Sequence, residues 1–419
     1  MECQDIFKYS CLDFVFTVAG VCAYLFDVGS DLWVAVEFYL HGDFFWFGLV
    51  VSFMALPSVV VQMFSWFWFK YDRELESFKA QTSAEKIVFG GEGRLKLSLL
   101  HAFQLGFLLR HLSAIEQGFW VWWIGSQATE YAVYVTHDLS MLRLVEAFCE
   151  SAPQLTLMLY IMLRTNQARA VQYVSVVASA ISIASSVAMY HRSLRSFLPD
   201  KDKQGWGSSV VYFLWNLLLI APRMAALALF ASSFPCCIAA HFLLLWVPLF
   251  LWAWLQRTHF MDSAGGEFLY RAVVAVIWYF SWFNVAEGRT RWRSVIYHAF
   301  MVADGGILLA TWWWNRDAEL TRSYALPVVT ALPSAYLLGL LLKGLYYSCF
   351  HPKLWATPVQ VEEDVPDGQV AFRSLPPRTA PPSQLRNKRM ASLANIFYSA
   401  VPPLPHVCLE NGNASNGVI

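Results

Sequence analysis

The sequence predicts an all-α fold: a polytopic transmembrane helical bundle of about eight spanning helices and two re-entrant segments, with an internal duplication. Three observations carry this. Of 419 residues, 57% are hydrophobic and only 14% are charged, against about 25% charged in a soluble domain, so much of the apolar surface must face lipid. The apolar residues fall into ten runs, most of them near the roughly 20 residues that cross a hydrocarbon core. Only helices or closed barrels cross lipid, and these runs are far too long for barrel strands. The 19 Trp, 18 Tyr and 32 Phe suit a bilayer protein, whose aromatic rings settle at the headgroup level.

The first run, 12–40, is too long for the core of a cleaved signal peptide and reads as a signal anchor that stays. The runs 44–69, 95–124, 138–163 and 171–192 follow it. A second set comprises 208–231, 236–256, 268–286, 294–314 and 324–348. Five runs on either side of about residue 200 are the pattern of duplication. If all ten crossed from an inside N-terminus, the loop 192–207 with Arg192, Arg195, Lys201 and Lys203 would lie outside, against the positive-inside rule. Letting 138–163 and 268–286 dip in and return places that loop, the EGRTRWR stretch at 287–293 and the C-terminus inside. The first of these two holds Glu146, Glu150 and Pro153. The second is short and flanked by Glu267 and Glu287. Residues 1–351 thus form the bundle. Residues 352–419 begin with a stretch rich in Pro, Glu, Asp and Gln and are expected to be a cytosolic, largely disordered regulatory tail.

Net charge is zero, so nucleic acid is not an expected partner. The eight cysteines are scattered, with no CxxC and no zinc spacing. No GxGD or HExxH occurs. No cofactor, metal site or catalytic residue is expected, and the chain does not read as an enzyme.

Charges inside apolar runs cost roughly 2.5–3.5 kcal/mol each on insertion scales and therefore face partners or water. In the first run, Asp13, Asp27 and Asp31 lie on one helical face with Thr17, Gly20 and Tyr24. The 18 residues from Asp13 to Asp31 rise about 27 Å, nearly the core thickness. The stripe reads as the wall of a hydrophilic path for lipid headgroups or, alternatively, as one deep structural ion pair. In 138–163, Ser140, Arg143, Glu146, Glu150 and Gln154 share a face. Arg143 can pair with Glu146, which leaves Glu150 for a basic partner elsewhere, and Pro153 is expected to bend the segment. Arg110, Arg192, Arg223 and Asp304 are lone charges in other runs. Together these groups would make a nearly neutral network, suited to a zwitterionic headgroup, whereas a ring of one sign suggests an ion filter. Snorkelling is the plainer account of Arg192. Trp46 follows the short loop His41-Gly42-Asp43, where an outer gate or an aromatic belt residue would sit.

In the tail, Asp364-Val365-Pro366-Asp367-Gly368 carries acids at the spacing an executioner caspase prefers, in the kind of exposed stretch proteases cut. Beyond it, Met390, Leu393, Ile396 and Phe397 recur at three-to-four spacing, as in a short amphipathic helix. Such a helix could plug the mouth of the bundle or bind the membrane surface. Cleavage after Asp367 would turn a plug held at high effective concentration into a separate peptide.

Four stretches carry a family likeness: Asp27-Val28-Gly29-Ser30-Asp31-Leu32-Trp33, Glu150-Ser151-Ala152-Pro153-Gln154-Leu155, the run GSSVVYFLWN at 207–216 and the run YFSWFNVAEGRTR at 279–291. On these the chain resembles the XK-related membrane proteins, and within them the caspase-activated phospholipid scramblase branch, over about residues 10–350 and again at Asn387-Lys388-Arg389-Met390. The resemblance implies a plasma-membrane scramblase that exposes phosphatidylserine in apoptosis without ATP. It also implies a single-span chaperone of the basigin or neuroplastin kind. Path charges would fall on Asp13, Asp27, Asp31, Arg110, Glu146, Arg192, Arg223 and Asp304, with Trp46 as the gate. One position departs: Met189 stands where an Asp is expected before Tyr190-His191-Arg192, which removes the nearest local acid from Arg192. A secondary transporter of a small polar or zwitterionic solute is the competing class; against it stands the lack of interrupted helices at matching positions of the two sets.

Overall fold

The structure, a computed structural model, describes residues 9–73, 80–89, 93–124, 129–165, 170–196, 205–258, 260–261, 263–285 and 290–350. Every element among them is a helix. The tail residues Asp364, Asp367, Gly368, Met390, Leu393, Ile396 and Phe397 lie outside the described residues.

Seven helices are long and apolar enough to cross a membrane: α1 (Cys11–Leu40), α2 (Phe44–Arg73), α8 (Ala170–Ser196), α9 (Trp206–Ser233), α10 (Cys237–Leu255), α12 (Thr290–Asn315) and α13 (Ala325–Leu345). Between them lie α3 (Ser83–Phe89), α4 (Gly93–Ala102), α5 (Gly106–Ile124), α6 (Thr129–Glu146), α7 (Ala152–Thr165) and α11 (Ala264–Phe280). The face on which α1 begins is called the N-terminal face below. α8 ends there, because Arg192 meets Asp13. α9 starts there, with Trp206 against Phe16.

The run 95–124 is not one span. It folds into a hairpin of α4 and α5 whose tip, Phe103–Leu105, reaches only the middle of α2. Ser58 Oγ donates to Gln104 Oε1 (2.7 Å) and Gln62 Nε2 to the Gln104 carbonyl (3.0 Å). Gln104 has a φ of 63°, an uncommon conformation for a non-glycine, and these two bonds hold it. Gly106 lets α5 start against α4, since a Cβ there would lie 2.2 Å from the His101 ring. Back at the base, Phe14 stacks on Trp122 near the N-terminal face.

The run 138–163, expected to dip and return, instead crosses the bundle. α6 and α7 are joined end to end by a π-helical turn, Ala147–Ser151. The composite helix starts beside α1's N-terminus, where Ser140 meets Ser193. It ends beside α1's C-terminus, where Met158 and Ile161 pack with Val34 and Phe38. Its charges led to the other expectation. They are tolerated because α2, α5, α8 and α9 pack around the helix and α1 meets it through Asp27 and Tyr24, which shields it from lipid. The π turn falls just before Pro153, with the Ala152 N–H bonded to the Ala147 carbonyl. The extra residue absorbs the register defect that a proline makes in an α-helix.

The second re-entrant segment is as expected. α11 rises from beside Tyr71, which meets Ser263. It stops at mid-bundle, where the Tyr279 carbonyl accepts from Arg223 Nε. The chain turns back at once, and Trp278 Nε1 donates to the Phe283 carbonyl (2.5 Å). Exchanging which segment returns in the first set preserves the count of crossings, so α8 still ends on the N-terminal face. Each set of five runs now has its re-entrant segment third. In each set the first and fifth helices make the most extensive contact, α1 with α8 and α9 with α13.

Candidate functional site

The polar groups of the first set form a column enclosed by α1, the α6–α7 helix and α8. At the N-terminal face, Asp13 serves two partners. Its Oδ2 accepts from the Ser10 backbone N–H (2.8 Å) and hydroxyl (2.7 Å), which caps α1. Its Oδ1 accepts from Arg192 Nε (2.8 Å). Arg192 therefore finds its acid across helices, without the local Asp that Met189 replaces. Met189 itself lies against Gly20, which brings α8 close to α1. Tyr9, Asp13, Thr17, Thr136 and Arg192 are among the walls of a cavity of about 20 Å³, room for about one water.

One level deeper, Arg143 is held on three sides. It pairs with Glu146, Nη2 donates to Ser182 Oγ (3.0 Å), and the guanidinium lies 4.8 Å over the Tyr24 ring. Tyr24 in turn stacks on His111 (4.7 Å). Above Arg143 lie Asp27, Asp31 and Glu150. Asp27 accepts from Ser151 (2.6 Å) and Ser179 (2.9 Å), and Asp31 from Ser175 (3.1 Å). Asp13, Asp27 and Asp31 are each at most 5% exposed, so all three are enclosed by protein, Asp13 at the N-terminal face and the other two farther along α1. Glu150 does not find the expected basic partner. It is 7% exposed and makes no hydrogen bond or ion pair among the described residues. One oxygen of Glu146 is also buried and unpartnered. At the top, Gln154 Nε2 donates to the Val50 carbonyl, and Trp46 packs edge-on to Tyr160 (5.8 Å).

The charges are not distributed as one near-neutral network. The central group holds four carboxylates, Asp27, Asp31, Glu146 and Glu150, with Arg143 as its cation. Arg110 stands off the column, in the re-entrant hairpin. It donates to Ser65 Oγ (2.9 Å) and Asp138 Oδ2 (3.2 Å) and lies over Phe69. Arg223 and Asp304 form their own buried pair in the second set. There His241 bridges Asp304 (3.2 Å) and the Tyr279 hydroxyl (2.9 Å).

Sequence reasoning missed the donors on α8. Ser175, Ser179, Ser182 and Ser186 recur every three to four residues, and three of them face Asp31, Asp27 and Arg143. That spacing was the available signal, hidden because serine scores as merely neutral in an apolar run. Among the described residues no cluster has the geometry to hold a metal ion.

A family model described as "XK-related protein" matches residues 15–352. The chain is 60% identical over 403 residues to XK-related protein 8 of Gasterosteus aculeatus, covering 95% of this chain and 100% of that one. It is 61% identical over 405 residues to XK-related protein 8 of Tetraodon nigroviridis, covering 96% and 99%. With the Pan troglodytes protein of the same name the identity is 42% over 393 residues, covering 92% and 94%.

Proposed function

The chain belongs to the XK-related family, and from that premise we propose that it is a phospholipid scramblase, moving lipids in both directions across the plasma membrane without ATP. The observation that carries the reading is the buried column. Carboxylates, serines and an arginine follow one another along α1, α6–α7 and α8 from one face of the bundle to the other, over the about 27 Å between Asp13 and Asp31. Polar groups at membrane depth are costly and mark substrate pathways. A headgroup passing along this column exchanges its hydration for hydroxyls and charges, while its chains stay in lipid.

In this reading Asp13, Asp27, Asp31, Arg143, Glu146, Glu150 and Arg192 line the path. Arg110 braces it from the hairpin, and Arg223 with Asp304 braces the second set. Trp46 gates the mouth opposite the N-terminal face. Both termini are cytosolic, and a basigin- or neuroplastin-like chaperone accompanies the chain to the surface. Caspase cleavage between Asp367 and Gly368 releases the Met390–Phe397 plug, and phosphatidylserine appears outside in apoptosis. The test is Asp367→Ala in cells whose only caspase-dependent scramblase is this chain. Phosphatidylserine exposure should be lost after caspase activation, and exposure that persists would mean a different switch.

One observation favours a second reading, a secondary transporter. The re-entrant segments stand third in both sets, and matched interruptions in duplicated halves mark transporter sites. Uptake of a zwitterionic solute such as choline phosphate into proteoliposomes, with no movement of labelled lipid, would select it.

A further inference from the structure

Tyr9 precedes Ser10, the N-cap of α1, and so lies outside the helix. Its side chain turns into the N-terminal face of the bundle. The hydroxyl rests against Gly118 on α5, where a Cβ would lie 2.6 Å from Tyr9 Oη and 2.8 Å from Phe14 Cδ2. Only a glycine leaves room there for the tip of the ring. Thr17 on α1 and Thr136 on α6 stand beside the hydroxyl. All three residues wall the cavity of about 20 Å³ that Asp13 and Arg192 also line. Arg192 is fixed on the far side, bonded to Asp13 (2.8 Å) and 4.9 Å over the Phe16 ring. Tyr9 therefore fills the gap between α1, α5 and α6 at the level of the first ion pair of the column.

The ring is seated but not bonded. Tyr9 Oη and Thr136 Oγ1 are buried and have no hydrogen-bond partner among the described residues. Thr17 Oγ1 already donates to the Asp13 carbonyl (2.8 Å). The cavity has room for about one water, an exchangeable partner for these hydroxyls in place of a fixed one. Burial pushes Tyr9 up to about 12, so the phenol stays uncharged at physiological pH and forms no ion pair with Arg192. Packing alone holds the ring, and leaving its seat breaks no hydrogen bond to the protein. Rotation about the side-chain torsions withdraws it without unwinding α1. Such a residue has two accessible positions, and whatever favours one of them shifts the balance.

We propose that Tyr9 is a gate at the N-terminal face: seated against Gly118 it closes the column at Asp13 and Arg192, and turned out it opens the column to lipid headgroups. The passage of headgroups rests on the scramblase reading; the closure of the cavity does not. The column then has an aromatic ring at each mouth, Tyr9 at one and Trp46 at the other.

Two readouts on the full-length protein test this. The first is labelling of a cysteine introduced by Thr17→Cys, in the cavity wall, with a trimethylammonium thiosulfonate in detergent. Mass spectrometry reads position 17 alone, so native cysteines do not interfere. Labelling should be slow with Tyr9 in place, at least tenfold faster with Tyr9→Ala, and slow again with Tyr9→Phe, which restores the ring. Gly118→Ala pushes the tip of the ring from its seat and should speed labelling as well. It leaves Tyr9 intact, so a folding defect at residue 9 does not decide the outcome. The second readout is lipid flux in vesicles with the tail cut, which Tyr9→Ala should raise severalfold. Labelling unchanged by both Tyr9→Ala and Gly118→Ala overturns the proposal. So does faster labelling without faster flux where the unsubstituted cut protein moves lipid, because Tyr9 then covers a cavity off the path. If the unsubstituted cut protein moves no lipid, the scramblase reading fails by itself, and the labelling still supports or overturns the closure by Tyr9.

Discussion

The two sets of five runs share one layout and differ in chemistry. Both pack the first helix on the fifth, and both place a re-entrant segment third. The first set concentrates carboxylates, with Asp27, Asp31, Glu146 and Glu150 around Arg143. The second carries donors in separate pairs, Arg223 with Asp304 and Lys343 with His298. The difference shows that the backbone plan is indifferent to the sign of the charge it encloses. Enclosure by neighbouring helices makes the buried groups tolerable, and the local partners decide what each set can accept.

Arg143→Leu should break this comparison most severely. It leaves four buried carboxylates with their cation gone, and removing one partner of a buried pair costs about 3–5 kcal/mol. Thermal unfolding in detergent should show most of the folded protein lost. Arg223→Leu should cost less, because Asp304 keeps His241 at 3.2 Å. Equal losses would mean that the first set has no special acid excess.

The helix contacts can be compared in the same way. A Cβ at Gly339 on α13 would lie 2.8 Å from Leu219 Cδ2 and 3.2 Å from the Leu218 backbone. One at Gly20 on α1 would meet only the flexible end of Met189. Gly339→Ala should therefore destabilise by about 1–3 kcal/mol, in the range of overpacked cores. Gly20→Ala should cost less, because Met189 can swing aside. The opposite order in chemical denaturation would show the first set to be the more rigid.

A smaller effect is expected at Trp46. Trp46→Ala removes an edge-on aromatic pair worth about 0.5–1.5 kcal/mol. Stability should fall by that pair and the packing of a half-buried ring, short of unfolding the protein, while the rate of lipid movement changes, as for a gate. A full loss of folded protein would make Trp46 structural.

Much of the fold was legible in the sequence. Run length and hydropathy marked the seven apolar helices, the charge of the loop at 192–207 required one segment of the first set to return, and that of the stretch at 287–293 required one of the second. The assignment of the first returning segment was not legible. Glu146, Glu150 and Pro153 argued against a crossing, yet a helix wrapped by others on all sides has no need to be apolar. The actual break, at Gln104 and Gly106, lies in an apolar run whose only signals were a glutamine and a glycine. The stripe Asp13–Asp27–Asp31 and the Arg143–Glu146 pair followed from helical periodicity, because i, i+3 and i, i+4 relations are local. The partners of Arg192 and Arg110 and the isolation of Glu150 depend on which helices meet, and no local spacing records that. The serines of α8 could have been read from their spacing.

The central claim is that the column of the first set carries lipid headgroups, and lipid flux in liposomes tests it most directly. Purified protein with its tail cut is placed in vesicles with fluorescent lipid in both leaflets, and an external quencher is added. Nearly all of the label should become accessible, and Asp27→Ala should slow that access about tenfold, a barrier increase of about 1.4 kcal/mol, while folded yield is unchanged. Inner-leaflet label that stays protected in the presence of cut, folded protein would contradict the account.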